Sequence, residues 1–260
     1  MEKGGTRSLN GQFRKRMDNA PLISVITIVL NGERYLERTI KSVIGQGYPN
    51  FEYIIIDGNS TDHTLDIIRK YDSEIDFWLS EPDNGISDGF NKGFSFSSGE
   101  FIAYLNSDDW YEPDALAIMA NEMHDQKVIY CGHMNLWSPD GSKFIKNHRS
   151  NPDRIFQTMR IAHPASFVPR KVFTLTGGFS TRYRVAMDYD FMIKAKLNGF
   201  GFKVVDLLVA NQFTGGNSRN LMEVYRDELL VKNNNLGRRP GHYLWYLLNV
   251  TYFYFMRIFK

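Results

Sequence analysis

Phe101-Ile-Ala-Tyr-Leu-Asn-Ser-Asp-Asp-Trp110 is the stretch on which the reading of this 260-residue chain turns. Its apolar run, Phe101 to Leu105, predicts a buried strand that stops abruptly at Asn106, Ser107, Asp108 and Asp109. The carboxyl ends of the parallel strands are where open α/β sheets bind ligands. Two neighbouring carboxylates repel, so the pair needs water, protonation or a cation. A hard ion such as Mg²⁺ fits, since it takes one or two carboxylates and fills its shell with substrate phosphates. The plainer reading is a helix start, with Asp108 or Asp109 capping the segment that begins near Glu112-Pro113. Taken alone, the motif favours the cap. The rest of the chain shifts the balance.

Upstream, Leu22–Leu30, Phe51–Ile56 and Phe77–Leu79 are short β-branched or aromatic runs, each followed by a helical pattern. The first helix carries Leu36, Ile40, Val43 and Ile44, the second runs from Leu65 to Tyr71, and the third spans Asp88 to Ser98. Strands alternating with helices in this way predict a mostly parallel central sheet with right-handed crossovers, flanked by helices. Downstream the pattern loosens. A helix is expected over Pro113–Met123, then strands Val128–Leu136 and Ser142–Asn147 around the turn Pro139-Asp-Gly141. Further on come a short helix near Asp153–Met159, a helix headed by Asp188-Tyr-Asp190, a strand Phe202–Val209, a loop Gly215-Gly-Asn-Ser218 and a helix Leu221–Leu236.

Composition narrows the function. A chain that is 43% hydrophobic and 23% charged can build a packed core, and a net charge of +2 with no basic stripe argues against nucleic-acid binding. Cys131 is the single cysteine, which excludes an internal disulfide and suggests a reducing compartment. Residues 1–20 read as a flexible basic tail without the apolar segment of a secretory signal. Tyr243–Met256 is almost wholly aromatic or aliphatic, but shorter than the about 20 residues a spanning helix needs. Bracketed by Arg238, Arg239, Arg257 and Lys260, residues 242–260 suit either an interfacial helix on an anionic membrane or a helix packed on the core or another subunit.

Four strand-end clusters therefore share one sheet edge: Thr27–Asn31, Asp57–Ser60, Asp83–Asp88 and Asn106–Asp109. No Gly-x-Gly-x-x-Gly fingerprint and no Gly-Lys-Ser/Thr phosphate loop occurs, which removes dinucleotide and P-loop enzymes. Asp57 at the second strand end suits a base or ribose contact, or simply a turn.

In this order the motifs resemble a family 2 glycosyltransferase. Ser24-Val-Ile-Thr-Ile-Val-Leu-Asn31 and Glu52-Tyr-Ile-Ile-Ile-Asp-Gly-Asn-Ser-Thr-Asp62 look like its opening. Glu81-Pro-Asp-Asn-Gly85, Asn91-Lys-Gly93 and Ser98–Asp109 resemble its bacterial surface-polysaccharide branch, and the likeness continues through Gly177-Gly-Phe179 and Asp188-Tyr-Asp190.

The resemblance implies a GT-A fold with a nucleotide-binding half (21–110), an acceptor half (111–218) and C-terminal helices (219–260). It implies an inverting transfer of one sugar, of the hexosyl type, from a nucleotide-diphospho-sugar to a glycan or polyprenyl-linked acceptor. Carried onto this chain, Thr27, Asn31, Asp57, Asp88, Lys92 and Asn106 would meet the donor. Asp108 and Asp109 would hold Mg²⁺ or Mn²⁺, Asp188 would be the general base, and His163 and Asp190 would face the acceptor. Two departures stand out: Asn106 occupies the usual first Asp of Asp-x-Asp, and Met187 the Glu that often precedes the base. The expected location is cytoplasmic, at the inner membrane face. The competing reading is a non-catalytic scaffold that binds a sugar nucleotide within a membrane glycan-assembly complex.

Overall fold

The computed structural model describes residues 1–7, 17, 20–214 and 220–258. The described strands are β1 (Glu2–Gly4), β2 (Ile23–Val29), β3 (Phe51–Asp57), β4 (Phe77–Ser80), β5 (Phe101–Tyr104), β6 (Trp110–Tyr111), β7 (Val128–Trp137), β8 (Phe144–His148), β9 (Ser166–Pro169) and β10 (Gly201–Phe213). They form one sheet in the order β1-β4-β3-β2-β5-β9-β7-β10-β6, with β8 paired to β7. The described helices are α1 (Leu36–Ile44), α2 (Thr64–Lys70), α3 (Ile86–Phe96), α4 (Ala115–Ala120), α5 (Arg170–Thr176), α6 (Met187–Leu197), α7 (Leu221–Leu236) and α8 (Pro240–Ile258).

The parallel order expected from sequence holds across β4-β3-β2-β5. All seven residues of β3 are buried, as befits an interior parallel strand covered on both faces. One face packs on α1, α2 and α4 through Leu36, Ile40, Ile68 and Leu116. The other packs on α3, α5 and α6 through Phe90, Phe173 and Phe191. The α3 helix lies so close to the sheet that a Cβ on Gly93 would run into the Ile26 side chain.

Beyond β5 the sheet is mixed. β9 is antiparallel to both β5 and β7, and only β7 with β10 restores a parallel pair. The sequence reading has neither β9 nor α5: four residues closed by Pro169 carry too little periodicity to register. The helix expected over Asp153–Met159 is instead a single 3-10 turn at Pro152–Arg154.

The flexible-tail expectation gives way for the first residues. β1 pairs antiparallel with β4, Gly5 N–H donates to Asp72 at 2.7 Å, and Arg7 pairs with buried Glu52 at 3.3 Å. The expected Gly215–Ser218 loop lies outside the described residues.

No helix among the described residues is long and apolar enough to cross a membrane. α8 packs on α7, with Trp245 edge-on to Tyr225 and the Lys232 ammonium 3.2 Å from the Trp245 ring centre. The opposite stripe, Leu244, Leu247, Leu248, Tyr252 and Phe255, is exposed.

Candidate active site

The ends of β2 and β5, the start of α3, the end of β10 and the segment before α6 surround one cleft of about 870 Å³. That is ample for a small-molecule ligand. Asp108 lines it from the turn after β5 and Asp188 from the start of α6. Asn106 and His163 also line it. The shared cleft brings together the two acidic groups that the sequence singles out, although they are 80 positions apart in the chain.

The turn after β5 is held rigidly. The Thr39 hydroxyl points at the carbonyls of Ser107 (2.8 Å) and Asp109 (2.7 Å), and the Asp109 N–H donates to Asn106 O at 3.0 Å. Arg38 donates to Asp108 O at 3.3 Å, with its guanidinium 3.5 Å from the Trp110 ring centre. Trp110 is therefore covered on one side and takes part in the packing under the cleft.

Asp109 is fully buried and, unlike its neighbour Asp108, does not line the cleft wall. Its Oδ2 accepts from Asn106 Nδ2 at 3.2 Å, while its Oδ1 is buried without a hydrogen-bond partner. Asn106 thus supplies a donor to Asp109 where a carboxylate would add repulsion. Burial, then the charge of Asp108, pushes the Asp109 carboxyl well above the usual range. Burial also raises Asp108.

No group of three His, Cys, Asp or Glu that could hold a metal occurs among the described residues. The donor set nevertheless suits Mg²⁺ or Mn²⁺: one cleft-facing carboxylate, a second carboxylate with an unpartnered oxygen beside it, and space for phosphate oxygens and water.

Asp188 is half-buried at the cleft wall, and burial raises its carboxyl pKa. His163 lies close enough for each to act on the other's charge, and burial lowers its own pKa. A neutral imidazole beside a carboxylate suits contact with a hydroxyl substrate. Its ring is also packed among Phe90, Tyr104 and Phe179, so the same residue supports the fold.

Several expected donor contacts lie elsewhere. Thr27 is fully buried in the sheet and accepts from Tyr53 Oη at 3.1 Å. Asp57 is fully buried and accepts from Ser80 Oγ (2.6 Å) and from the N–H and hydroxyl of Ser60. Asn31, with φ 52°, accepts from Thr61 N–H at 2.9 Å and so ties the β2 and β3 ends together. Lys92 donates to Pro82 O and pairs with Glu81, while Asp88 accepts from Asn84 N–H. None of these five lines the cleft; they shape the loops that do.

Asp190 is corrected as an acceptor contact. It is 1% exposed, pairs with Lys194 at 2.7 Å and accepts from Asn235 Nδ2 at 2.7 Å on α7. Two residues along a helix from Asp188, it points elsewhere by geometry.

Sequence reasoning placed the Asp83–Asp88 cluster at this edge, and Asp83 lines the cleft, but it missed His148, Arg182, Arg184 and Gln212, all on the cleft wall. Gln212, at the end of β10, also approaches Asp109 Oδ2 at 3.4 Å. Its strand-end position was the available signal, obscured because the strand was expected to stop at Val209.

The fold and the cleft together define an α/β scaffold with a ligand-sized cleft at its strand ends, and comparison with known proteins gives its family. The sequence profile of Glycosyl transferase family 2 matches residues 24–189, and the chain belongs to that family. It is 30% identical over 229 residues to a chondroitin synthase of Pasteurella multocida, covering 84% of this chain but 24% of the synthase. Thus it spans about a quarter of that longer relative. A PGL/p-HBAD biosynthesis glycosyltransferase of Mycobacterium bovis is also 30% identical, over 85% of this chain and 88% of the relative.

Solved structures show the same GT-A fold. S. aureus TarS 1–349 in complex with UDP-GlcNAc matches with a TM-score of 0.64 and 20% identity, over 85% of this chain and 69% of that one. The mannosyltransferase PcManGT from Pyrobaculum calidifontis, in complex with GDP-Man and Mn²⁺, matches with a TM-score of 0.64 and 17% identity, over 92% and 73%.

Proposed function

We propose that this glycosyltransferase is inverting and divalent-cation-dependent, and that it moves one sugar from a nucleotide-diphospho-sugar to a hydroxyl of a glycan or lipid-linked acceptor. The observation that carries the reading is the shared cleft: Asp108, in the turn after β5, and Asp188, in the first turn of α6, both line it. The neighbours solved with UDP-GlcNAc or with GDP-Man and Mn²⁺ support a nucleotide-sugar donor and a divalent ion.

In this reading Asp108 and the free oxygen of Asp109 hold the cation, and Arg38 and Thr39 fix the turn that aims them. A cation on the diphosphate stabilises the charge that develops as the anomeric C–O bond breaks. Asp188 takes the proton of the attacking acceptor hydroxyl while the new C–O bond forms on the opposite face of the sugar. A base of this kind contributes about 10²–10⁴-fold. Its raised pKa brings it nearer the operating pH, and its place in the first turn of α6 favours the ionised form when substrate is bound.

The exposed stripe of α8 and the cations around it give a contact with the cytoplasmic face of an anionic membrane, where a lipid-linked acceptor resides. The scaffold alternative lacks an observation in its favour, because the cleft keeps both carboxylates.

The test is nucleotide release from a panel of UDP- and GDP-sugars with and without Mn²⁺. Cation-dependent release from one donor, lost in Asp188→Asn while nucleotide binding persists, is the expected outcome. Nucleotide binding that is indifferent to the cation would contradict the reading.

A further inference from the structure

Charge is distributed unevenly along this chain. Residues 141–187 contain nine of its 31 Lys and Arg but only one, Asp153, of its 29 Asp and Glu. That segment supplies the acceptor-side wall. Arg182 and Arg184 line the cleft and are exposed, and His148 lines the same cleft. The Arg184 guanidinium stands 3.8 Å from Glu223, too far for a hydrogen bond, and the Arg184 side chain is 78% exposed. Lys146 and Arg160 stand near enough to His148 to oppose its protonation, and burial opposes it further. The imidazole Nε2 of His148 is buried without a hydrogen-bond partner among the described residues. A buried polar atom left unsatisfied in a ligand cleft is paired when the ligand arrives. Of the remaining cleft acids, Asp83 accepts from Gly85 N–H at 2.9 Å, and Asp108 and Asp188 already have places in the cation and base machinery proposed above.

We propose that Arg182, Arg184 and His148 form an acceptor subsite for a phosphate or diphosphate ester carried next to the accepting sugar. The inference rests on the transfer reading and adds the chemistry of the acceptor to it. Two guanidiniums offer fork-shaped donors for phosphate oxygens, the imidazole offers one more, and Lys146 and Arg160 add long-range attraction. Two cleft-lining guanidiniums, with two further cations near His148, exceed what a single carboxylate needs, whereas a diphosphate carries more than one negative charge. The mobile end of such an acceptor is its sugar, which this anchoring presents to Asp188.

Calorimetric titration in EDTA tests this, because without the cation the donor's diphosphate loses its Asp108 anchor. The probes are farnesyl diphosphate, farnesol, glucose 1-phosphate and glucuronate, added to the wild type and to Arg182→Gln/Arg184→Gln. Both phosphate probes, or one of them, should bind the wild type without cation, weaken with added salt, and lose roughly tenfold or more in the double variant. Binding of farnesyl diphosphate alone assigns the ester to a lipid carrier, and binding of glucose 1-phosphate alone to a sugar phosphate. His148→Gln, which keeps an amide donor near the same place, should lose less than His148→Ala. Absence of binding in EDTA overturns the proposal, as does equal binding of farnesol or glucuronate, or an unweakened double variant. The transfer reading fails separately, through missing nucleotide-sugar turnover or cation-independent nucleotide binding, neither of which this titration measures.

Discussion

On the donor side of the cleft, the wall stands on β4-β3-β2-β5, a parallel block buried on both faces, with Asp57, Ser60 and Ser80 knitting the strand ends. The opposite wall stands on the short antiparallel pairings of β9, on the parallel β7–β10 pair and on a segment that α7 holds by polar ties. Buried Asp227 accepts from the N–H groups of Arg184 (2.9 Å) and Val185 (3.0 Å). Asn234 donates to Tyr183 Oη at 2.8 Å, and buried Glu228 accepts from Thr158 on the neighbouring wall segment. One side is rigid by apolar packing and the other by a few hydrogen bonds from a helix beyond the family-matched residues. Dense packing resists change everywhere, while a polar tie can be cut at one point. Under the proposed function, the first wall would suit a constant nucleotide and the second would suit specificity.

The largest expected effect breaks the symmetry of the two carboxylates. Asp188→Asn should lower kcat by about 10²–10⁴-fold with nucleotide affinity retained, measured by single-turnover sugar transfer beside nucleotide binding. Loss of nucleotide binding instead would move Asp188 to the donor side.

Next come the supports. Asp227→Ala leaves two backbone donors without their acceptor, at a cost of about 1–3 kcal/mol each if they stay dry. Hydrogen exchange should rise over residues 181–185 and the acceptor KM should increase, with exchange in β2 and β3 unchanged. Uniform exchange across the whole protein would show that the two walls share one stability. Gly93→Ala probes the opposite wall: its Cβ meets Ile26, an overpacking worth about 1–3 kcal/mol. Thermal unfolding should shift downward without a selective effect on acceptor KM.

The pH profile sharpens the comparison with a smaller effect. As a base, Asp188 works ionised, so kcat/KM should fall as pH drops through its raised pKa, and Asp188→Asn should remove that limb. For stability the sign is opposite. Asp108, Asp109 and Asp188 all have raised carboxyl pKa values, so their protonated forms favour folding, and this contribution fades as pH climbs from the ordinary 3.8 through the raised values. Chemical denaturation of the cation-free protein should show that decline, and Mg²⁺ with nucleotide should reduce it.

The first block of the sheet was legible because its strands are continuous apolar runs separated by helical periodicity and closed by Asn, Asp and Gly. Ile54 to Ile56 leave few other readings. β9 was not legible, because it is four residues wedged between prolines and draws its stability from β5 and β7 on either side. Among site residues, Asp108 and Asp188 stood out through strand-end and helix-start positions. Asp57 and Thr27 misled, because a strand-end carboxylate or hydroxyl looks the same in sequence whether it faces a ligand or a neighbouring loop. Arg182, Arg184 and His148 carried no spacing signal; only the charge imbalance of residues 141–187 marked them, and folding turned it into a surface.

The most direct measurement is nucleotide-diphosphate binding titrated with Mn²⁺ in the wild type, Asp108→Ala and Asp188→Asn, with sugar transfer followed in parallel. The account predicts cation-dependent binding in the wild type and Asp188→Asn, its loss in Asp108→Ala, and loss of transfer in both variants. Cation-dependent binding that survives in Asp108→Ala, or transfer that survives in Asp188→Asn, would contradict it.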